Sequence, residues 1–141
     1  MNREEIKKII PHREPMLLVD SVEKNGETAV GKYTVKGSEF FLQGHFPGNP
    51  VVPGVILCEM MAQTCCLLAD VRDATPMFTS LNNVKFKNPV RPGDTIEFKC
   101  AMTRKSGPFW FASGSGYVGD KLCISGDLSF AIIPNPTRSN V

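Results

Sequence analysis

The side chains of this sequence best suited to acid–base chemistry are a histidine in a loop and a glutamate in an apolar segment. Three prolines and three glycines fall within residues 43–54, which predicts an ordered, irregular loop, and this loop carries His45. Glu59 follows, flanked by Leu57, Cys58, Met60 and Met61. Neutral imidazole accepts protons near neutral pH, and apolar surroundings disfavour a charged carboxyl group, which suits a general acid. The two residues are predicted to form an acid–base pair.

The segment around Glu59 is predicted to be a buried helix. Residues 55–69 are apolar almost throughout, too many for a typical strand, and rich in Leu, Met and Ala. Pro53 and Gly54 mark the start of this helix, where free backbone N–H groups suit an oxygen that gains negative charge. We therefore predict that the backbone N–H of Gly54 donates a hydrogen bond to such an oxygen. Gln63, one turn after Glu59 on the same face, is predicted to hydrogen-bond and orient it.

Simpler interpretations of these residues remain open. A single glutamate in an apolar helix also marks a solvent-facing edge, and a loop histidine is often structural. The second histidine, His12, is predicted to serve turn structure or packing. The five cysteines show no C-x-x-C spacing, which indicates reduced thiols that pack as small apolar side chains in a cytosolic compartment.

The rest of the chain predicts a short helix and a sheet that position this pair. Residues 2–10 are predicted to be helical up to Pro11, and residues 17–22 and 28–36 to form a hairpin around the turn Asn25-Gly26. From residue 78 the apolar period becomes two, as in residues 96–102. In the last run apolar and polar residues alternate. The predicted inner face holds Leu122, Ile124, Leu128 and Phe130, and the predicted solvent-exposed face holds Lys121, Ser125, Asp127 and Ser129.

These elements predict an α+β fold in which an antiparallel sheet of sequential strands, wet on one face, wraps the apolar helix. A length of 141 residues fits one domain spanning 1–141, with residues 134–141 as a flexible tail. The net charge of +2 gives no indication of nucleic-acid binding. The N-terminus lacks a secretory pattern and the longest apolar run is too short to span a membrane, so a cytoplasmic protein is expected.

Three blocks of this sequence closely resemble the Z-type (3R)-3-hydroxyacyl-[acyl carrier protein] dehydratases. They are Pro11-His12-Arg13-x-Pro15-x-Leu17-Leu18-Val19-Asp20, then Gly44-His45-Phe46-Pro47-Gly48-Asn49-Pro50-x-x-Pro53-Gly54-Val55 with Glu59-x-Met61-Ala62-Gln63, and Val84-Lys85-Phe86-x-x-Pro89-Val90-x-Pro92-Gly93-Asp94. Together they cover nearly the whole chain. The resemblance implies the hot-dog fold, a curled sheet around a long central helix.

The resemblance also implies a site. The family's catalytic histidine falls on His45 and its catalytic glutamate on Glu59, where a sister dehydratase–isomerase family carries aspartate. Such sites are shared between the two chains of a homodimer, and dimers associate further into trimers of dimers. Gly54, Val55, Gln63 and Phe98 are the expected substrate-binding residues. Phe98 matches an aromatic residue that gates the acyl tunnel, but lacks the hydroxyl group often found there. Cys58-Glu59-Met60 stands where the family commonly has Leu-Glu-Ala.

The implied reaction removes water from a 3-hydroxyacyl thioester to give a trans-2-enoyl thioester in fatty acid biosynthesis. His45 is the expected base at C2 and Glu59 the expected acid at the departing hydroxyl, with the Gly54 N–H on the thioester oxygen. The reverse allocation, or His45 performing both transfers while Glu59 binds water, is equally open. No metal or redox cofactor is expected, because two proton transfers and an N–H donor account for the reaction. The substrate is carried on the phosphopantetheine arm of acyl carrier protein.

Acyl carrier protein is acidic, and five basic residues of this sequence are predicted to attract and dock it by electrostatic steering: Lys85, Lys87, Arg91, Arg104 and Lys105. A solvated strand face explains any one of them equally well.

The competing functions are a hot-dog thioesterase, an enoyl-CoA hydratase, a dehydratase that also isomerises its product to cis-3, and an acyl-binding scaffold without turnover. Free-thiol release from acyl thioesters separates the thioesterase, and the intact His45–Glu59 pair argues against the scaffold.

Overall fold

A computed structural model describes residues 1–69 and 71–135. The described chain contains two α-helices, one short 3-10 helix and six strands, in the order α1 (Arg3–Lys7), β1 (Ser21–Asn25), β2 (Thr28–Thr34), a 3-10 helix (Phe40–Leu42), α2 (Gly54–Cys66), β3 (Ala74–Phe86), β4 (Thr95–Ser106), β5 (Phe109–Val118) and β6 (Lys121–Pro134). Among the described helices, none is long and apolar enough to cross a membrane.

The predicted buried helix is confirmed as α2, which begins at Gly54 after Pro53, as predicted, and ends at Cys66, before the end of the apolar run at residue 69. Within Leu57–Cys66 every residue except Glu59 is buried. A helix that is apolar all round needs protein on all sides, and the inner face of the sheet supplies much of it. Glu59 therefore marks the one place in this stretch where α2 is not covered.

The six strands form one antiparallel sheet in the order β1-β2-β4-β5-β6-β3. The expectation of sequential pairing is correct for β1 with β2 and for β4 to β6, but wrong for β3, which pairs with β6 at the far edge. The alternation of apolar residues identifies the face of a strand and not its partner. Because α2 precedes β3, the helix carries the chain across the sheet to the opposite edge.

Alternation correctly predicted the inner face of β4, where Ile96, Phe98 and Cys100 are buried. The prediction failed at Ser129 in β6, which is 3% exposed instead of facing water. The β3–β6 register shifts between Phe78 and Ser80. This irregularity brings the hydroxyls of Thr79 and Ser80 to 2.6 Å and 2.5 Å from the Ser129 hydroxyl. The buried serine is thus satisfied by hydrogen bonds, as a buried polar group must be.

The N-terminal segment is less regular than predicted. Only Arg3–Lys7 is helical, with a capping box between Asn2 and Glu5. The predicted strand over residues 17–22 starts at Ser21, although Leu17, Leu18 and Val19 are buried. Their backbone groups bond to side chains instead of a neighbouring strand. Of the predicted flexible tail, Pro134 ends β6 and the Asn135 N–H donates to the Asp73 carbonyl at 3.1 Å, while residues 136–141 lie outside the described part.

Glycines let the sheet approach α2 closely. A Cβ atom built on Gly114 of β5 would lie 2.8 Å from Met61 Sδ and 3.2 Å from Cys100 Sγ. Gly114→Ala is therefore expected to destabilise the protein by about 1–3 kcal/mol through overpacking, measured as the free energy of unfolding in urea. Ser115→Thr, which adds a methyl group on the outer face of the same strand, is the control. Equal stability of the two variants would contradict this packing.

Candidate functional site

Glu59 lies in the second turn of α2 with its side chain 22% exposed. Its carboxylate oxygen Oε1 is 3.6 Å from Nε2 of His12. Both side chains line a small cavity of about 50 Å³, whose other walls are Ala62, Gln63, Cys66, Pro76, Phe78 and Phe130. A carboxyl group and an imidazole thus face each other in one small, mostly apolar cavity, a combination typical of acid–base sites.

His12 is the functional candidate that reasoning from local sequence missed, because turn or packing was its predicted role. It follows Pro11 in a segment that Arg13 holds in place: the Arg13 guanidinium donates to the carbonyls of Lys7, Ile10 and His12 at 3.0, 3.0 and 2.7 Å. The signal available in the sequence was its place in the first of the three resembling blocks.

Gln63 does not orient Glu59 as predicted. It is 0% exposed, accepts a hydrogen bond from the Leu18 N–H at 2.8 Å and donates one to the Met16 carbonyl at 2.7 Å. The spacing of four residues correctly placed both side chains beside one cavity. Buried backbone groups of residues 16–18 need partners, however, and they take both ends of the amide. Gln63 consequently holds the N-terminal segment against α2.

Gly54 and Val55 form the first turn of α2, after Pro53 at the N-cap. The first helical hydrogen bond is donated by Ile56 to the Pro53 carbonyl at 2.9 Å, so the N–H groups of Gly54 and Val55 precede it. A Cβ atom on Gly54 would meet the Phe86 ring at 2.9 Å. Val55 is 76% exposed. The two residues line an open groove of about 520 Å³ together with Val51, Val52, Leu57, Phe86, Lys87, Asn88, Pro89 and Val90.

His45 lies in the predicted loop, just after the 3-10 helix, and is half-buried. Its ring packs against the Phe46 ring, with centroids 4.1 Å apart and the planes tilted by 35°, and its backbone N–H donates to the Leu42 carbonyl at 3.3 Å. The loop is tied to the β3–β4 connection by Arg91, which donates to Asn49 Oδ1 at 2.7 Å. His45 is not among the residues lining the cavity of Glu59. A single chain therefore does not bring the predicted pair into one cavity.

Phe98, expected to contact substrate, is 1% exposed on the inner face of β4. Its ring would collide with a Cβ atom at Gly116, at 2.8 Å, and it is absent from the walls of the Glu59 cavity. The structure thus places Phe98 in the core.

The five cations predicted as one docking surface are dispersed. Arg104 stacks over Phe111 and Lys105 over Trp110 near the β4–β5 turn. Arg91 precedes β4, at the opposite end of that strand. Lys85 lines a groove on the outer face of the sheet. Only Lys87, beside Gly54, lines the groove at the start of α2.

The edge strand β3 leaves apolar side chains uncovered. In the described sheet β3 pairs on one side only, with β6. Met77, Phe78, Leu81 and Phe86 on it are 44% to 57% exposed, and Phe78 also lines the cavity of Glu59. A long apolar edge of this kind is a surface for association with another chain.

Cys66 reaches the same cavity. Burial raises the pKa of its thiol well above the usual value, with a further contribution from the charge of Glu59. The thiol consequently stays protonated and is a poor nucleophile. Among the described residues, no group of three or more His, Cys, Asp or Glu side chains is placed to hold a metal ion.

Comparison with known proteins places this chain among dehydratases. Residues 21–127 match a family described as ApeI dehydratase. The chain is 43% identical over 136 residues to the 3-hydroxyacyl-[acyl-carrier-protein] dehydratase FabZ of Macrococcus caseolyticus, covering 92% of this chain and 94% of that protein. It is 42% identical over 145 residues to FabZ of Alkaliphilus metalliredigens, covering 98% and 99%.

Two solved structures share the fold. The dehydratase heterocomplex ApeI:P from Xenorhabdus doucetiae has a TM-score of 0.79 at 18% identity, covering 95% of this chain and 92% of that one. A mutant of the fluoroacetyl-CoA-specific thioesterase FlK has a TM-score of 0.65 at 17% identity, covering 81% and 90%. At these identities the likeness concerns the fold alone, and it confirms the predicted α+β hot-dog architecture.

Proposed function

Since this chain belongs to the family of the FabZ 3-hydroxyacyl-[acyl-carrier-protein] dehydratases, we propose that it removes water from 3-hydroxyacyl-[acyl carrier protein] in fatty acid biosynthesis, with Glu59 and His45 as its catalytic residues. The observation that carries the site is the position of Glu59. It is the one residue of Leu57–Cys66 that is not buried, and its carboxyl group lines an apolar cavity. The cytoplasm is the corresponding compartment.

The reaction needs one proton removed at C2 and one delivered at C3. His45 takes the C2 proton on a ring nitrogen, while the C2 electron pair forms the new double bond as the C3–oxygen bond breaks. Glu59 gives its proton to the departing hydroxyl, which leaves as water. The Gly54 N–H at the start of α2 donates to the thioester oxygen as it gains negative charge. Proton return from His45 to Glu59 restores the starting state. The reversed roles fit the same residues.

A second copy of the chain is needed to complete this site. His45 does not line the cavity of Glu59 within one chain, and the apolar edge of β3 beside that cavity is uncovered. Pairing of two β3 edges buries these side chains and brings the loop of one protomer toward α2 of the other. We propose a homodimer with two shared sites, assembled further as a trimer of dimers, with His45 of one protomer facing Glu59 of the other.

The substrate's carrier is proposed to approach at the groove that starts α2. This groove of about 520 Å³ contains Gly54 and Val55, and exposed Lys87 stands on its wall. The phosphopantetheine arm enters here with its thioester near Gly54, and the acidic carrier protein meets Lys87. The steps assigned above are proton transfers and one hydrogen bond, and they use only side chains and backbone of this chain.

Lys87→Glu is expected to raise KM for a carrier-protein substrate by about tenfold through lost steering. It should leave KM for the same acyl group on N-acetylcysteamine unchanged, because that small thioester makes no carrier contact. Lys105→Glu, at the far end of β4, is the matched control. A similar change in KM for both variants would contradict docking at the α2 groove.

The proposed function is tested by incubating the purified protein with 3-hydroxyacyl-[acyl carrier protein] of several chain lengths. Products are resolved as trans-2 or cis-3 enoyl thioesters, and free thiol is measured in parallel. We expect trans-2 product without thiol release. Thiol release without enoyl product would identify a thioesterase, cis-3 product an additional isomerase activity, and no turnover a binding scaffold.

A further inference from the structure

We propose that His12 is a positioning residue for Glu59, holding the carboxyl group at the orientation from which it transfers its proton. The inference rests on the proposed function of Glu59. Its basis is the approach of His12 Nε2 to Glu59 Oε1, 3.6 Å apart, between two side chains that are both about one-fifth exposed.

The surroundings of His12 select one form of the ring. Its Nδ1 atom is buried and has no hydrogen-bond partner among the described residues. A buried N–H donor without a partner is rarer and more costly than an unpaired acceptor. A neutral His12 therefore carries its proton on Nε2, the nitrogen that faces Glu59, and Nδ1 is the bare acceptor. In this tautomer the ring is a donor directed at the carboxylate.

The backbone around His12 is fixed from two sides. Arg13 ties the segment to the end of the N-terminal helix through the Lys7 carbonyl, and it also donates to the carbonyls of Ile10 and His12. Gln63, one turn after Glu59, binds Met16 and Leu18 further along the same segment. Since α2 thus carries both Glu59 and the side chain that anchors the His12 segment, the distance between the ring and the carboxylate is set by one rigid element.

The separation of 3.6 Å is slightly longer than a hydrogen bond. Catalytic contacts are commonly long in the absence of substrate and shorten in the complex. A carboxyl group on a flexible side chain otherwise samples several rotamers. A hydrogen bond from His12 to one oxygen restricts the Glu59 carboxyl group to one orientation, in which the other oxygen faces the cavity. The expected consequence is an effect on kcat and not on substrate binding.

The test uses three substitutions in the full-length protein. Glutamine places an amide N–H close to the Nε2 position, asparagine places one close to Nδ1, and phenylalanine keeps the ring without a donor. We expect His12→Phe and His12→Asn to lower kcat by about tenfold to a hundredfold, the cost of misplacing a reacting group, with KM within about twofold. His12→Gln should recover most of the activity.

A second measurement separates positioning from a structural role. In a Glu59→Gln background His12→Phe should lower the remaining activity no further, because its effect acts through Glu59. The idea is overturned if His12→Gln and His12→Asn have equal kcat, or if His12→Phe acts equally in both backgrounds. The glutamine–asparagine pair decides the matter even where His12→Phe fails to fold. A wild-type protein without dehydratase activity would instead refute the proposed function.

Discussion

Glu59→Gln is expected to lower kcat for dehydration of a 3-hydroxyacyl-[acyl carrier protein] by about 10²–10⁴-fold, the usual contribution of a general acid or base. Glutamine matches glutamate in size and still contacts His12, so the fold and the cavity should be kept, but its amide cannot deliver a proton. The measurement is the initial rate of enoyl thioester formation, together with a urea unfolding curve to verify that stability is unchanged.

Glu97→Gln is the matched control for this experiment. Glu97 is a partly exposed carboxylate on β4 whose contact is a surface ion pair with Lys32 at 3.6 Å. Surface pairs of this kind contribute little, so its rate should stay within about twofold of wild type. A Glu59→Gln enzyme that keeps a rate within tenfold of wild type would remove Glu59 from the proton transfers.

Mixing two inactive variants is expected to restore activity if the site is shared between chains. Protomers with His45→Ala and protomers with Glu59→Gln each form dimers in which both sites are defective. In a mixed dimer one site receives both substitutions, and the other receives intact His45 and Glu59. Random exchange of equal amounts makes half of the dimers mixed, so about a quarter of all sites are intact. The rate after unfolding and refolding the mixture measures this recovery.

The control for mixing is the double variant, His45→Ala with Glu59→Gln, refolded with either single variant. No site in such mixtures holds both residues, and activity should stay at the background of the single variants. If His45 and Glu59 of one chain acted together, the mixture of single variants would also remain inactive. That outcome would contradict a site shared between two chains, but it would not affect the conclusion from Glu59→Gln that Glu59 takes part in catalysis.

Local chemistry made α2 and the β4 inner face predictable from sequence. The apolar run of residues 55–69 is too long for a typical strand and rich in Leu, Met and Ala, which predicted the helix found at Gly54–Cys66. Alternation in β4 correctly identified Ile96, Phe98 and Cys100 as inward-facing. The loop before α2 followed from its prolines and glycines. Glu59 stood out because a carboxylate interrupts a segment that is otherwise buried, and the structure places it at a cavity.

Contacts between distant segments were beyond such reasoning. The position of β3 beside β6 depends on where α2 delivers the chain, which no periodicity encodes. The approach of His12 to Glu59 and the bonds from Gln63 to residues 16–18 join residues 45 or more positions apart. Sequence spacing correctly put Gln63 and Glu59 on one face of α2. The backbone groups of Met16 and Leu18, which otherwise lack partners, then took the hydrogen bonds of the Gln63 amide in place of Glu59.

The sequence by itself determined the chemical types available to the site: an imidazole on a rigid loop, a carboxyl group in an apolar helix and free N–H groups at that helix's start. Tertiary structure alone decided which of them meet. It brought His12 to Glu59, kept His45 out of the same chain's cavity and moved Phe98 into the core. The physical reason is that residue type follows from local composition, whereas proximity follows from the packing of segments whose partners the chain order does not specify.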